Sequence, residues 1–246
     1  MRNEKVSVVI PCFNEGKTIF DNMKTVCEYM SRNFKDFEII AVNDGSRDNT
    51  LSELRIVQQN NAVKIINIEE NQGKGNAVRE GMLASRADRD AVMFLDADLA
   101  IPIEELEKFL DTMAEGFDIA IASRFVPGLR VLKPVLWYRK IMNNVFRFVQ
   151  MGILNTREIR DTQCGFKVFR REAAEKVFRL ATVKRFAFDS EILFIAKKLK
   201  YKIRELPITL QNSRKSHVRI YWDPVDMMWA LLKIRMNDLK KMYELS

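Results

Sequence analysis

"FLDADLAIP", residues 94–102, closes an apolar run with two aspartates one residue apart and then a proline. Ala91, Val92, Met93, Phe94 and Leu95 carry no charge, and so short a run bounded by turn residues reads as a strand buried on both faces. Asp96 and Asp98 at its end repel each other in a small volume, which costs stability unless a cation or a strong donor answers them. Open parallel α/β sheets place their ligand-binding residues at such carboxyl ends.

The flanking sequence repeats the pattern. "VSVVIP" (6–11), "FEIIAV" (37–42), "VKIINI" (63–68), "AVMFLD" (91–96) and "DIAIAS" (118–123) read as buried strands. Between them, 16–34, 48–59, 74–85 and 102–116 read as helices, the last with Ile103, Leu106, Leu110 and Met113 on one face. The order βαβαβαβαβ predicts a Rossmann-like half with a mainly parallel sheet. Its polar strand ends are Asn14 with Glu15, Asn43 with Asp44, Asn71, and Asp96 with Asp98, all aimed at one crevice. After residue 125 come a Pro/Gly turn, an aromatic and basic helix near 135–152, the polar segment "NTREIRDTQCGFK", a helix over 189–200, a strand over 202–210, a basic loop and a last helix over 225–243. No flexible linker divides them, so 1–246 reads as one domain, with a nucleotide-binding half (1–125) and an acceptor and membrane-interface half (126–246).

The 246 residues suffice for a full core, and 41 Lys and Arg against 33 Asp and Glu leave a net charge of +8. That balance suits phosphorylated substrates, an acidic membrane surface or nucleic acid; no nucleic-acid recognition motif supports the last. Cys12, Cys27 and Cys164 have neither zinc spacing nor an even count, which points to the reducing cytosol. No secretory leader is visible, and Arg139, Lys140 and Arg147 interrupt the most apolar window, so the chain is not expected to cross a membrane by itself.

Paired carboxylates after a strand suit one Mg²⁺ or Mn²⁺, with positions left for substrate phosphates and water. In "NDGSRDNT" (43–50), Asp48 or Asn49 is expected to cap the next helix, while Asp44 stands where a carboxylate can accept bonds from a base or ribose. "NQGKGNAVREG" (71–81) lacks the Walker spacing, which excludes a P-loop NTPase, and the missing G-x-G-x-x-G weakens a dinucleotide-dependent dehydrogenase.

"VSVVIPCFNE", "AVNDGSRDNT", "NQGKGNAVREG", "FLDADLAIP" and "ASRF", in this order, resemble glycosyltransferase family 2 with its GT-A fold. "RDTQCGFKVFRR" (160–171), "FAFDSEILFIA" (186–196) and a basic loop before an amphipathic helix are similar to the polyprenyl-phosphate sugar synthase group. The resemblance implies that Pro11, Asn14, Glu15 and Asp44 hold the nucleoside of a sugar nucleotide. By the same likeness Asp96 lies near the donor sugar and inner diphosphate, and Asp98 is the main metal ligand. Ala100 stands where the mannosyl branch usually carries Gln, which favours a glucosyl-like branch.

Arg124, Lys167 and the loop residues Arg214, Lys215 and Arg219 are expected to supply cations for an acceptor phosphate and a leaving diphosphate, with His217 as a further phosphate contact. Asp189 and Glu191 either position the sugar or the basic loop, or cap the helix over 189–200. Basic and aromatic residues mix on the helices near 135–154 and 225–243, which read either as core helices or as lying in the headgroup layer of an anionic membrane. The expected activity is inverting transfer of glucose from UDP-glucose to dolichyl or undecaprenyl phosphate at the cytosolic face, with room for a separate membrane subunit. Donor exchange for GDP-mannose, or a non-catalytic lipid-bound subunit, are the rivals.

Overall fold

A computed structural model describes residues 1–131, 150–185, 187–211 and 223–244. Strands β1 (Val6–Cys12), β2 (Phe37–Asp44), β3 (Val63–Ile68) and β4 (Ala91–Leu95) alternate with helices α1 (Ile19–Asn33), α2 (Thr50–Asn60) and α3 (Lys74–Leu83). A 3₁₀ turn (Ile103–Glu105), α4 (Leu106–Ala114), β5 (Ile119–Ser123) and β6 (Arg130–Val131) follow. The remainder carries β7 (Phe166–Arg170), α5 (Arg171–Leu180), α6 (Phe188–Lys198), β8 (Ile203–Pro207), β9 (Thr209–Leu210) and α7 (Asp223–Leu239).

The seven-stranded sheet has the order β3-β2-β1-β4-β7-β5-β8. β1, β2, β3 and β4 are parallel neighbours, so their carboxyl ends share one edge. β7 runs antiparallel between β4 and β5, pairing Phe94 and Ile121 with Lys167. Thus β7 stands where the sequence reading has only a polar segment, and the run over 202–210 is divided: β8 pairs with β5, β9 with β6.

Both faces of the central strands are covered, as their apolar runs require, whereas β3, expected as a buried strand, lies at the sheet edge with Lys64 and Asn67 exposed. One core packs Val8, Ile10 and Met93 against Met23 and Phe109; the other packs Val9, Val92 and Phe94 against Val78, Phe178 and Ile192. Below the carboxyl edge Phe94 lies 5.8 Å, centroid to centroid, from Phe188 and 6.4 Å from Phe169. Each fully buried ring contributes about 2–3 kcal/mol of transfer free energy, so this floor is firm beneath the charges above it. No helix among the described residues is long and apolar enough to cross a membrane.

Candidate active site

The turn after β4 presents both aspartates. Leu99 N donates to Asp96 O at 3.1 Å, Ala100 N donates to Asp98 Oδ1 at 3.0 Å, and Leu99 takes a left-handed φ of 48°. Asp96 N donates to Gly165 O at 3.1 Å, tying the turn to the chain that enters β7. A Cβ on Gly165 would lie 2.1 Å from Asp96 Oδ2, so only glycine lets the "QCGFK" backbone pass this carboxylate.

A lysine that sequence reasoning passed over meets the pair. Lys74, the first residue of α3, places Nζ 2.5 Å from Asp96 Oδ1 and 6.0 Å from the Phe188 ring centroid. Burial would push the Lys74 ammonium down, but Asp96 and Asp189 hold it above the ordinary lysine value. The readable signal was a lysine opening a helix just after a polar strand end of the same crevice. "NQGKGNAVREG" fails as a Walker motif while still delivering a cation.

Asp44 is buried and builds the loop before Lys74. Its carboxylate accepts Asn71 Nδ2 at 2.8 Å, Gln72 N at 2.9 Å and Gly73 N at 2.9 Å. Gly73 has φ 102°, and a Cβ there would meet Lys184 O at 2.6 Å, which explains the glycine. Asn14 Oδ1 accepts Arg47 N at 2.9 Å, and Asn14 N donates to Ser46 Oγ at 3.0 Å, lacing the β1 end to the β2 end. Glu15 N donates to Thr50 Oγ1 at 2.8 Å, and Pro11 pairs with Val42 inside the sheet. Asp48 Oδ1 accepts Thr50 N at 3.0 Å, so Asp48, rather than Asn49, holds the start of α2.

Two further ion pairs lie behind the crevice. Lys167, expected as a phosphate cation, is fully buried in β7; Nζ donates to Cys164 O at 2.6 Å, pairs with Asp189, and lies 5.2 Å from the Phe94 centroid. Its charge is committed inside the protein, a correction that follows from β7 being a central strand. Burial drives the Asp189 carboxyl upward, only partly offset by Lys167 and Lys74. Arg124 forms a fork with Asp161 at 2.8 and 2.9 Å and keeps its side chain 31% exposed. Burial pushes the Asp161 carboxyl up, but Arg124 outweighs it and the carboxyl stands below its ordinary value. Neither Asp189 nor Glu191 caps α6: Ala187 precedes the helix without a side-chain cap, and Glu191 accepts from the 182–183 segment and Tyr243.

Arg214, Lys215, His217 and Arg219 lie outside the described residues, as does most of the segment near 135–152 expected as an aromatic and basic helix; residues 150–154 are helical. Gln211 N donates to Ala100 O at 2.9 Å, so the described chain leads into that basic loop from beside the Asp98 turn. In α7, Leu231 and Ile234 are buried, while Trp229 (69% exposed), Leu232, Met236 and Leu239 (73%) face out among Lys233, Arg235 and Lys240. The helix therefore joins the two readings offered for it: one face is core, the other apolar and basic surface.

The donor chemistry at the crevice fits a divalent cation. Asp96, 39% exposed, and Asp98 offer hard carboxylate oxygens, and among the described residues no cluster of three or more His, Cys, Asp or Glu adds to them. Such a pair suits Mg²⁺ or Mn²⁺ that takes its other ligands from substrate and water.

The doubly covered, mainly parallel sheet is that of a GT-A glycosyltransferase. The chain belongs to glycosyl transferase family 2, whose pattern matches residues 7–178. It is 33% identical over 250 aligned residues to the human dolichyl-phosphate beta-glucosyltransferase, covering 96% of this chain and 76% of that one. The Saccharomyces cerevisiae protein of that name is 32% identical, covering 97% and 76%. Among solved structures, glucosyl-3-phosphoglycerate synthase from Mycobacterium tuberculosis, in complex with Mn²⁺, uridine diphosphate and phosphoglyceric acid, superposes with a TM-score of 0.68 at 16% identity, covering 99% of this chain and 80% of that one. Mannosyl-3-phosphoglycerate synthase from Rubrobacter xylanophilus gives 0.66 at 18%, covering 99% and 76%. At such identities these two share the fold.

Proposed function

We propose that this protein transfers glucose from UDP-glucose to dolichyl phosphate with inversion, on the cytosolic face of a membrane. The observation that carries the reading is the meeting of Asp96, Asp98 and Lys74 at the carboxyl edge of the sheet. The dolichyl-phosphate beta-glucosyltransferases that match nearly the whole chain supply the sugar and the acceptor.

Asp96 and Asp98 would hold Mg²⁺ or Mn²⁺, which when bound neutralises charge on the donor's diphosphate. Lys74 brings a further positive charge to the same rim, and α3 directs its N-terminus there, a favourable setting for phosphate. Pro11, Asn14 and Glu15 would line the side where the nucleoside lies; Asp44, expected to hold it directly, has its carboxylate taken up by Asn71, Gln72 and Gly73 and would act there through the loop it shapes. The acceptor is a phosphomonoester with a second pKa of about 6, so near neutrality it is mostly dianionic and needs no strong base. One of its oxygens forms the new bond to the anomeric carbon as the bond from that carbon to the diphosphate oxygen breaks, and UDP leaves with the electron pair. Orientation and charge compensation are then the protein's main task. Arg124, at the exposed end of the Asp161 fork, together with Arg214, Lys215, His217 and Arg219, would face the acceptor phosphate. Lys167 acts from inside, holding Asp189.

The outer face of α7 pairs apolar side chains with Lys and Arg, which suits an anionic lipid surface where the acceptor resides. The direct experiment incubates purified protein with Mn²⁺, a panel of sugar nucleotides and dolichyl phosphate, and weighs the lipid product. A hexose added from UDP-glucose alone is expected; a product formed only from GDP-mannose would replace the donor, and no product from any donor would overturn the reading. Asp98→Ala should abolish transfer and leave the circular dichroism spectrum intact.

A further inference from the structure

Glu191 is a fully buried carboxylate to which the transfer step set out above assigns no role. It accepts from Thr182 N at 2.9 Å, Thr182 Oγ1 at 2.7 Å, Val183 N at 2.7 Å and Tyr243 Oη at 2.7 Å. A buried carboxylate with this many donors is held firmly and holds them in turn. Asn237 Nδ2, from α7, reaches Thr182 Oγ1 at 3.1 Å and Tyr243 Oη at 3.2 Å, completing the cluster.

The segment so fixed is the one on which the donor loop rests. Asn76 N donates to Lys184 O at 3.0 Å, Lys184 Nζ donates to Gln72 Oε1 at 2.8 Å, and Gly73 packs directly on the Lys184 carbonyl. Asp44 holds Gln72 N and Gly73 N from the other side. The loop that ends in Lys74 is therefore gripped between β2 and the 182–184 segment. The second support runs through Glu191 to Tyr243, past the end of α7.

We propose that Glu191 and Tyr243 are positioning residues for donor binding: they fix the 182–184 segment and through it the 72–76 loop, so that Lys74 meets the diphosphate. The inference rests on the donor site assigned above. It also ties that loop to the element whose opposite face carries Trp229 and Leu239.

The test uses Tyr243→Phe, which removes only the hydroxyl, and Thr182→Val, which removes the other hydroxyl on Glu191. Amide hydrogen exchange at Gln72, Gly73 and Asn76 should quicken in both variants while exchange along β1 and β2 stays slow. In turnover the donor KM should rise about fivefold, the net worth of one such hydrogen bond, with the acceptor KM unchanged. Exchange that is unaltered at 72–76, or that quickens evenly over the whole sheet, would overturn the proposal. So would equal rises in both KM values. Because the exchange measurement needs no substrate, it reads this tie even if the transfer assay gives no product, which keeps the two failures apart.

Discussion

Lys74 Nζ stands 2.5 Å from Asp96 Oδ1, an ammonium from the first residue of α3 meeting a carboxylate just past the end of β4. The contact links two consecutive βα units of the sheet across the crevice. It also answers, in part, the mutual repulsion of Asp96 and Asp98.

Lys74→Met keeps most of the side-chain stem and removes the charge. If the ammonium serves the diphosphate as well as Asp96, UDP affinity in the presence of Mn²⁺ should fall about tenfold or more, the scale of a lost charge-assisted contact. Titration calorimetry reads it, and Lys74→Arg should recover part of the loss. Unchanged affinity would confine Lys74 to neutralising its neighbour.

Gly165→Ala tests the close passage past Asp96 of the chain that enters β7. The added methyl would lie 2.1 Å from Oδ2, so the carboxylate must move. A displacement near 1 Å at a reacting centre costs about a hundredfold in rate, and kcat/KM should drop by that order while the melting temperature changes little. Retained kcat/KM would show that Asp96 tolerates displacement.

Asp161→Asn removes the charge that answers Arg124 behind the crevice. Breaking a largely buried ion pair costs about 3 kcal/mol, to be read by urea unfolding at neutral pH. The pH dependence has a definite sign. Asp161 has a folded-state pKa below its unfolded value, so its contribution is complete above about pH 4 and is lost as pH falls through the folded value. The acid limb of the stability profile should therefore be shallower in the Asn variant than in the parent.

Trp229→Ser with Leu239→Ser addresses the outward face of α7. Burying two such side chains is worth about 1.5–3 kcal/mol each, and flotation with vesicles containing phosphatidylserine should show a marked loss of bound protein. Binding by the parent chain should also weaken at high salt, as attraction between lysines and anionic headgroups is screened. Equal flotation of parent and variant would remove α7 from the contact.

The first four strands were legible because each is a short run rich in Val and Ile or wholly apolar that leads into polar residues, and parallel pairing put those ends together as expected. β7 was not, because Lys167, its second residue, reads as surface; the Cys164 carbonyl and Asp189, twenty-two residues on, are what allow a lysine there. The same distant pairing hid the supporting role of Glu191, whose partners come from two separate segments. Asp96 and Asp98 were legible as carboxylates at a strand end because a fully apolar run leads into them, their spacing alone being a weak signal. Lys74 was not, since its relation to Asp96 depends on the juxtaposition of two loops.

The antiparallel strand lodged between β4 and β5 also constrains how the chain can be made. Until residue 170 has left the ribosome, β4 has its β1 neighbour on one side and a bare row of amides and carbonyls on the other. An exposed apolar edge of that kind invites pairing with another nascent chain. Fragments truncated upstream of Phe166 should therefore be aggregation-prone, and the seam that brings Gly165 to Asp96 is among the last parts of the sheet to close.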